Sequence, residues 1–196
     1  MAYTGPSASE HPVTDHHAVI ENPASGERIV VRTTAEQTGG ELLVWELFLA
    51  PGGRVPSTHA HPVQEECFRM LSGTMRFRVG LRSMTVGPGM TVRVPPGAVH
   101  RFANAGPDTA HVLVETRPAL AMQDLLETAA ALARRHRRAR RLPRPLELAL
   151  FMREFEREVR APYLPTFLVR GVVRPLAWLA RGCGLDQRYR RSRSRT

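Results

Sequence analysis

Between Glu27 and Thr116 the chain is interrupted by a turn signal every few residues, and this restricts its fold more than any other feature. Short runs at Arg28–Thr34, Leu42–Leu49, Glu66–Leu71, Thr74–Val79, Met84–Val86, Thr91–Val94, His100–Asn104 and His111–Thr116 are punctuated by Gly and Pro. The breaks are Pro51-Gly52-Gly53, Ser72-Gly73, Gly87-Pro88-Gly89, Pro95-Pro96-Gly97 and Gly106-Pro107. Gly supplies positive φ and Pro presets φ, so such clusters end strands. None of the runs has helical period. Short strands at near-regular spacing predict an all-β sandwich or barrel. Leu42–Leu49 is almost wholly apolar, and a strand buried on both faces is expected there.

After Pro118 the period changes. Leu120, Met122, Leu125, Leu126, Ala129, Ala130, Leu132 and Ala133 follow helical spacing and lead into the basic run Arg134–Arg141. Pro143 and Pro145 end that helix; a second is expected over Leu146–Arg160 and a third over Phe167–Arg181, interrupted or started by Pro175. The charge changes at the same place. Residues 1–118 hold 10 Arg and 11 acids, whereas residues 119–196 hold 18 Arg and 7 acids, so the first part carries −1 and the second +11 of the net +10. The predicted organisation is a flexible arm over 1–24, a β-barrel over 25–118, a basic helical extension over 119–187, and a disordered Arg/Ser tail over 188–196. The chain has no Lys; codon bias accounts for that more simply than anion binding does. Cys67 and Cys183 suggest no disulfide framework, and the polar N-terminal segment has no apolar signal core, so a cytoplasmic protein is expected. No apolar run is long enough to span a bilayer.

The chemistry concentrates in two segments. His59 and His61, two residues apart on a strand, point to one face and can reach one metal ion. A carboxylate follows at Glu65 or Glu66, and a third imidazole, His100, lies beyond Pro95-Pro96-Gly97. Imidazole with carboxylate suits Fe, Mn, Ni, Zn or Cu without choosing among them.

The two segments resemble the paired motifs of the cupin superfamily. Gly53, His59, His61, Glu66 and Gly73 match the first motif, and Gly89, Pro95, Gly97, His100 and Asn104 the second, with 15 residues between them. The resemblance covers residues 27–118. It implies a mainly β fold, a double-stranded β-helix or jelly-roll barrel followed here by an α-helical extension. It also implies one divalent metal held by His59, His61, Glu66 and His100, with open positions for water, substrate or oxygen. Fe or Mn is favoured, with Zn or Ni as alternatives. The motif spacing selects Glu66 as the ligand and turns Glu65 to the alternate face.

Strand alternation, counted from the ligands, points Phe68, Met70, Phe77 and Phe102 inward, either lining a pocket around the metal or filling the barrel core. This face has no Arg to clamp a carboxylate or phosphate, which favours an apolar or aromatic small molecule. Glu46, the one charge in its strand, is read as a solvated edge residue rather than a partner of the site. Cys67 is read as packing; His11, His16 and His17 as solvated; His111 receives no role.

The leading expectation is a metal-dependent enzyme of oxygenase, isomerase, decarboxylase or polyketide-cyclase type. The alternative is a non-catalytic ligand-binding or sensing cupin whose helices contact a partner. No helix-turn-helix, zinc finger or aromatic-interleaved basic strand accompanies the Arg runs, so nucleic-acid binding is not expected. In Phe167–Arg181, Arg170, Arg174 and Arg181 share one helical face, with Phe167, Leu168, Val172, Leu176, Trp178 and Leu179 over much of the rest. That pattern is compatible with a helix lying on an anionic membrane, but packing on the barrel or on a partner subunit is the commoner outcome. Cupins with accessory helices often dimerise, so a homodimer is expected.

Overall fold

A computed structural model describes residues 18–55, 57–139, 145–162 and 166–185. Nine strands are present among them: β1 (Val19–Asn22), β2 (Glu27–Thr33), β3 (Leu43–Leu49), β4 (Glu65–Ser72), β5 (Met75–Val79), β6 (Arg82–Val86), β7 (Thr91–Val94), β8 (His100–Asn104) and β9 (Ala110–Arg117). A six-stranded sheet has the order β1-β2-β3-β9-β4-β7, and a three-stranded sheet the order β6-β5-β8, with every pairing antiparallel. The order is that of a jelly roll, in which chain neighbours are repeatedly separated in the sheet. Helices α1 (Met122–Ala139) and α2 (Pro145–Glu154) follow. A helical rod then comprises α3 (Thr166–Leu168), a π-helical turn (Val169–Val173) and α4 (Arg174–Gly182).

The core lies between the sheets. The large sheet contributes Leu43, Trp45, Leu47, Leu49, Phe68, Met70, Val112 and Val114; the small sheet contributes Met75, Phe77 and Phe102. Two motif glycines serve contacts that a side chain would block. A Cβ on Gly73, whose φ is +77°, would lie 2.7 Å from Ala110 Cα, and one on Gly53 would lie 2.8 Å from the Ala50 carbonyl oxygen. The motif residue Asn104 holds the next turn: its amide donates to the carbonyls of Leu49 and Asp108, and its Oδ1 accepts from Gly106 N–H.

Three expectations need correction. β3 is not buried on both faces: Leu43, Trp45, Leu47 and Leu49 are buried, while Val44, Glu46 and Phe48 lie partly exposed on the outer side. Its apolar outer residues are used locally, with Phe48 stacked on His111 at 4.2 Å and Arg28 over the same ring. The expected arm is too long, because Val19–Asn22 pairs with β2 and buries Ile20; residues 1–17 and the Arg/Ser tail lie outside the described residues. The second helix stops at Glu154 rather than Arg160, since Phe155 turns into the core and Arg160 pairs with Ala60. The third helical stretch is interrupted at Pro175 as expected: the proline has no N–H to donate back along the helix, and a π turn precedes it.

Candidate metal centre

The motif segment 59–61 is the middle strand of a small three-stranded arrangement. On one side His59 N–H donates to the His100 carbonyl at 3.0 Å, and His100 N–H returns to His59 at 2.8 Å. On the other side Ala60 N–H donates to the Arg160 carbonyl at 3.1 Å, and Arg160 N–H to Ala60 at 2.9 Å. Gly97 N–H also donates to the His61 carbonyl at 2.7 Å. Barrel and helical extension therefore hold the same three residues from opposite edges.

Each imidazole is oriented through its Nδ1. His59 Nδ1 lies 3.0 Å from the Ser57 carbonyl, His100 Nδ1 lies 3.1 Å from the Ala98 carbonyl, and His61 Nδ1 lies 2.5 Å from the Glu158 carbonyl. A carbonyl oxygen only accepts, so each Nδ1 carries the hydrogen and each Nε2 presents a lone pair. One ligating atom from each ring lies within 4.8 Å of those of the other two, and the three histidines can hold a metal ion. The ring centroids are 4.3–5.1 Å apart.

Glu66 completes the cluster. Its Oε2 lies 3.1 Å from His61 Nε2 and 3.3 Å from His100 Nε2. With hydrogen on Nδ1, those nitrogens and the carboxylate are acceptors facing acceptors, and neither buried Nε2 has a hydrogen-bond partner. Such an arrangement requires a cation or an added proton between the groups, so the donor set fits a divalent metal. The electrostatics agree. Burial would push the Glu66 carboxyl up, but the His61 and His100 imidazoles hold it well below the usual carboxylate range. Burial likewise opposes charge on His61, but Glu66 and the Glu158 carbonyl hold its pKa above the ordinary imidazole value. His59 is pushed down to about 4, first by burial and then by the His100 and His61 rings beside it.

The structure separates the two neighbouring acids. Glu66 is buried in β4 facing the imidazoles, whereas Glu65 is half-exposed and bonds Arg93 at 2.8 Å. Phe68, Met70, Phe77 and Phe102 all point inward and are buried in the core. Phe68 and Phe102 stand two residues beyond Glu66 and His100, forming the layer directly below the cluster. With Phe77 they make a triad whose ring centroids are 5.1–5.7 Å apart. Glu46 lies on the outer face, held by Arg32 and His111 at 2.8 Å each, so His111 has a partner that its sequence context did not indicate. Cys67 and Cys183 are free thiols.

The backbone carbonyls of Ser57, Ala98 and Glu158 were missed from sequence. For the first two a signal exists, because each acceptor lies two residues before its histidine. For Glu158 none exists: a carbonyl has no residue identity.

A comparison with curated proteins finds no match. Among solved structures, a conserved protein with a double-stranded β-helix domain from Klebsiella pneumoniae is 19% identical and covers 52% of this chain and 85% of its own, with a TM-score of 0.45. A predicted oxalate decarboxylase from Thermotoga maritima is 20% identical, covers 52% of this chain and 91% of its own, and gives 0.47. An RmlC-like cupin from Shewanella frigidimarina is 15% identical, covers 59% and 96%, and also gives 0.47. The family model described as cupin domain matches residues 45–115, from β3 to β9 with all three histidines and Glu66 between, and this segment of the chain is a cupin domain.

Proposed function

We propose that this protein is a metal-dependent enzyme acting on an apolar or aromatic small molecule. His59, His61 and His100 hold one divalent ion through Nε2, and Glu66 holds it through a carboxylate oxygen. The observation that carries the reading is the convergence of three imidazoles whose Nδ1 atoms are all engaged by backbone carbonyls. When bound, Fe(II) or Mn(II), with Zn(II) or Ni(II) as alternatives, supplies Lewis-acid or oxygen-activating chemistry. The chain's own contribution is positioning and exclusion of water. His61, Glu66 and His100 are buried, and half-buried His59 marks the side open to solvent. Phe68, Met70, Phe77 and Phe102 supply an apolar floor without a cation, which supports an aromatic or polyketide-like substrate over a sugar phosphate. Oxygenation, isomerisation, decarboxylation and cyclisation all fit this arrangement. A cytoplasmic homodimer completes the reading; the free thiols support a reducing compartment.

The test is anaerobic reconstitution with Fe(II) or Mn(II), followed by oxygen-uptake and product analysis over a panel of aromatic substrates. Metal-dependent turnover that a chelator abolishes is expected. Metal-loaded protein that tightly retains a co-purified ligand and never converts it would support the sensing alternative instead.

A further inference from the structure

The rod Thr166–Gly182 has two unlike faces. Ala177 and Ala180 are buried, and Ala180 packs with Leu150 of α2 and Leu185. On the outer side Phe167 is 71% exposed, Val172 47%, Trp178 75% and Leu179 48%. Phe167, Gly171, Val172, Pro175, Trp178, Leu179 and Gly182 are all exposed and recur along the rod. This is an apolar stripe along the rod rather than scattered exposure.

Charge identifies what covers the stripe. From Val159 to Leu185 the sequence contains Arg160, Arg170, Arg174 and Arg181 and no Asp or Glu. Arg174 and Arg181, seven residues apart, border the stripe on one flank. Five further Arg follow between Arg188 and Arg195. Glu154 of α2 pairs with Arg181 at 3.5 Å, but the rod itself contributes cations only, and a second copy docking through the same face about a two-fold axis would set Arg174 and Arg181 against the same cations. An anionic bilayer satisfies both features: the apolar side chains enter the acyl boundary, the indole sits at headgroup depth, and guanidiniums meet lipid phosphates. No described helix is long and apolar enough to cross a membrane, so the rod lies along the surface.

We propose that the outer face of this rod, carrying Phe167, Val172, Trp178 and Leu179 beside Arg174 and Arg181, is a peripheral anchor for anionic phospholipid membranes. Arg174, with Val169 and Val173, also lines a cleft of about 620 Å³ beside the metal loop, whose other walls include Ala60, Val99, Arg153, Glu156 and Arg160. Anchoring would thus hold that cleft next to the bilayer. The anchor itself does not depend on metal being bound.

The experiment is flotation of the full chain with vesicles of phosphatidylcholine alone, or of phosphatidylcholine and phosphatidylglycerol in equal parts, together with tryptophan emission. Trp45 is buried, so a blue shift on lipid addition reports Trp178. Flotation and a blue shift with the anionic vesicles only, both weakened by salt, are expected. Arg174→Ala with Arg181→Ala should weaken partitioning about thirtyfold, since each surface-held charge is worth about a fivefold factor. Trp178→Ala with Leu179→Ala, both at exposed positions and checked for folding by circular dichroism, should abolish most of the flotation. The proposal is overturned by no flotation with anionic vesicles, or by equal flotation with neutral ones. It is also overturned by unchanged flotation of the Trp178→Ala/Leu179→Ala variant, which would assign binding to the basic tail. A lipid-free blue shift that grows with protein concentration would assign the face to a second copy.

Discussion

The backbone carbonyl of Glu158 accepts a hydrogen bond from Nδ1 of His61, 97 residues earlier in the chain, at 2.5 Å. It sets the tautomer of a buried imidazole and aims its Nε2 at Glu66. The carbonyl is held in place by the paired bonds between Arg160 and Ala60, by Phe155 in the core, and by the Glu158 carboxylate accepting from Ala121 N–H at 3.3 Å. The helical extension is therefore part of the candidate metal centre.

This relationship separates two substitutions at one position. Arg160→Pro removes the N–H that bonds Ala60, whereas Arg160→Ala removes only the side chain. The proline variant should lose about 10- to 100-fold in metal affinity, the range for partners that orient a ligand. The alanine variant should keep the wild-type affinity. Chelator-competition titration checks this, with far-UV circular dichroism confirming that both are folded. Equal affinities for the two variants would remove the role assigned to the extension.

The aromatic triad below the cluster makes a prediction about stability. Phe77 is fully buried and touches both Phe68 and Phe102. Phe77→Ala should cost about 3–5 kcal/mol, by lost burial and by the cavity left behind. Urea unfolding of the metal-free protein reads the loss directly. A cost below about 1 kcal/mol would mean that the site collapses around the gap, contrary to a close-packed floor.

The outer face of β3 predicts a pH dependence. The Arg32 hydrogen bond, and then His111, hold the Glu46 carboxyl below its ordinary value of 4.5 against a smaller opposing effect of burial. A carboxyl whose pKa is lowered by folding stabilises the native state above its unfolded pKa, and that contribution is lost as pH falls through the folded value. Glu46→Gln should therefore cost less than about 1 kcal/mol at neutral pH, as expected for a largely solvated pair. The gap between variant and wild type should close in acid. Thermal melts at neutral pH and below pH 4 measure it; a gap that widens in acid would contradict the sign.

Much of this arrangement can be read from residue spacing, because strand alternation and turn chemistry are local. The motif spacing selects Glu66, and the period of two then turns Glu65 outside and carries Phe68 and Phe102 to the layer below. Local patterns fail where tertiary pairing decides. The apolar outer residues of β3 suggested double burial, but Phe48 is used by His111 and Arg28 on the surface. Leu146–Arg160 has helical spacing throughout, yet its last residues leave the helix because Ala60 offers Arg160 a strand partner. No spacing rule identifies Glu158, since its contribution is a peptide carbonyl brought 97 residues across the chain.

The most direct measurement is metal stoichiometry after reconstitution, compared among wild type, Glu66→Gln and Glu65→Gln. Glu66 faces two orphaned imidazole nitrogens, whereas Glu65 is paired with Arg93 on the outer face. One ion per chain is expected in the wild type and in Glu65→Gln, with at least about tenfold weaker binding in Glu66→Gln. Full occupancy in Glu66→Gln, at wild-type affinity, would contradict the metal centre described here.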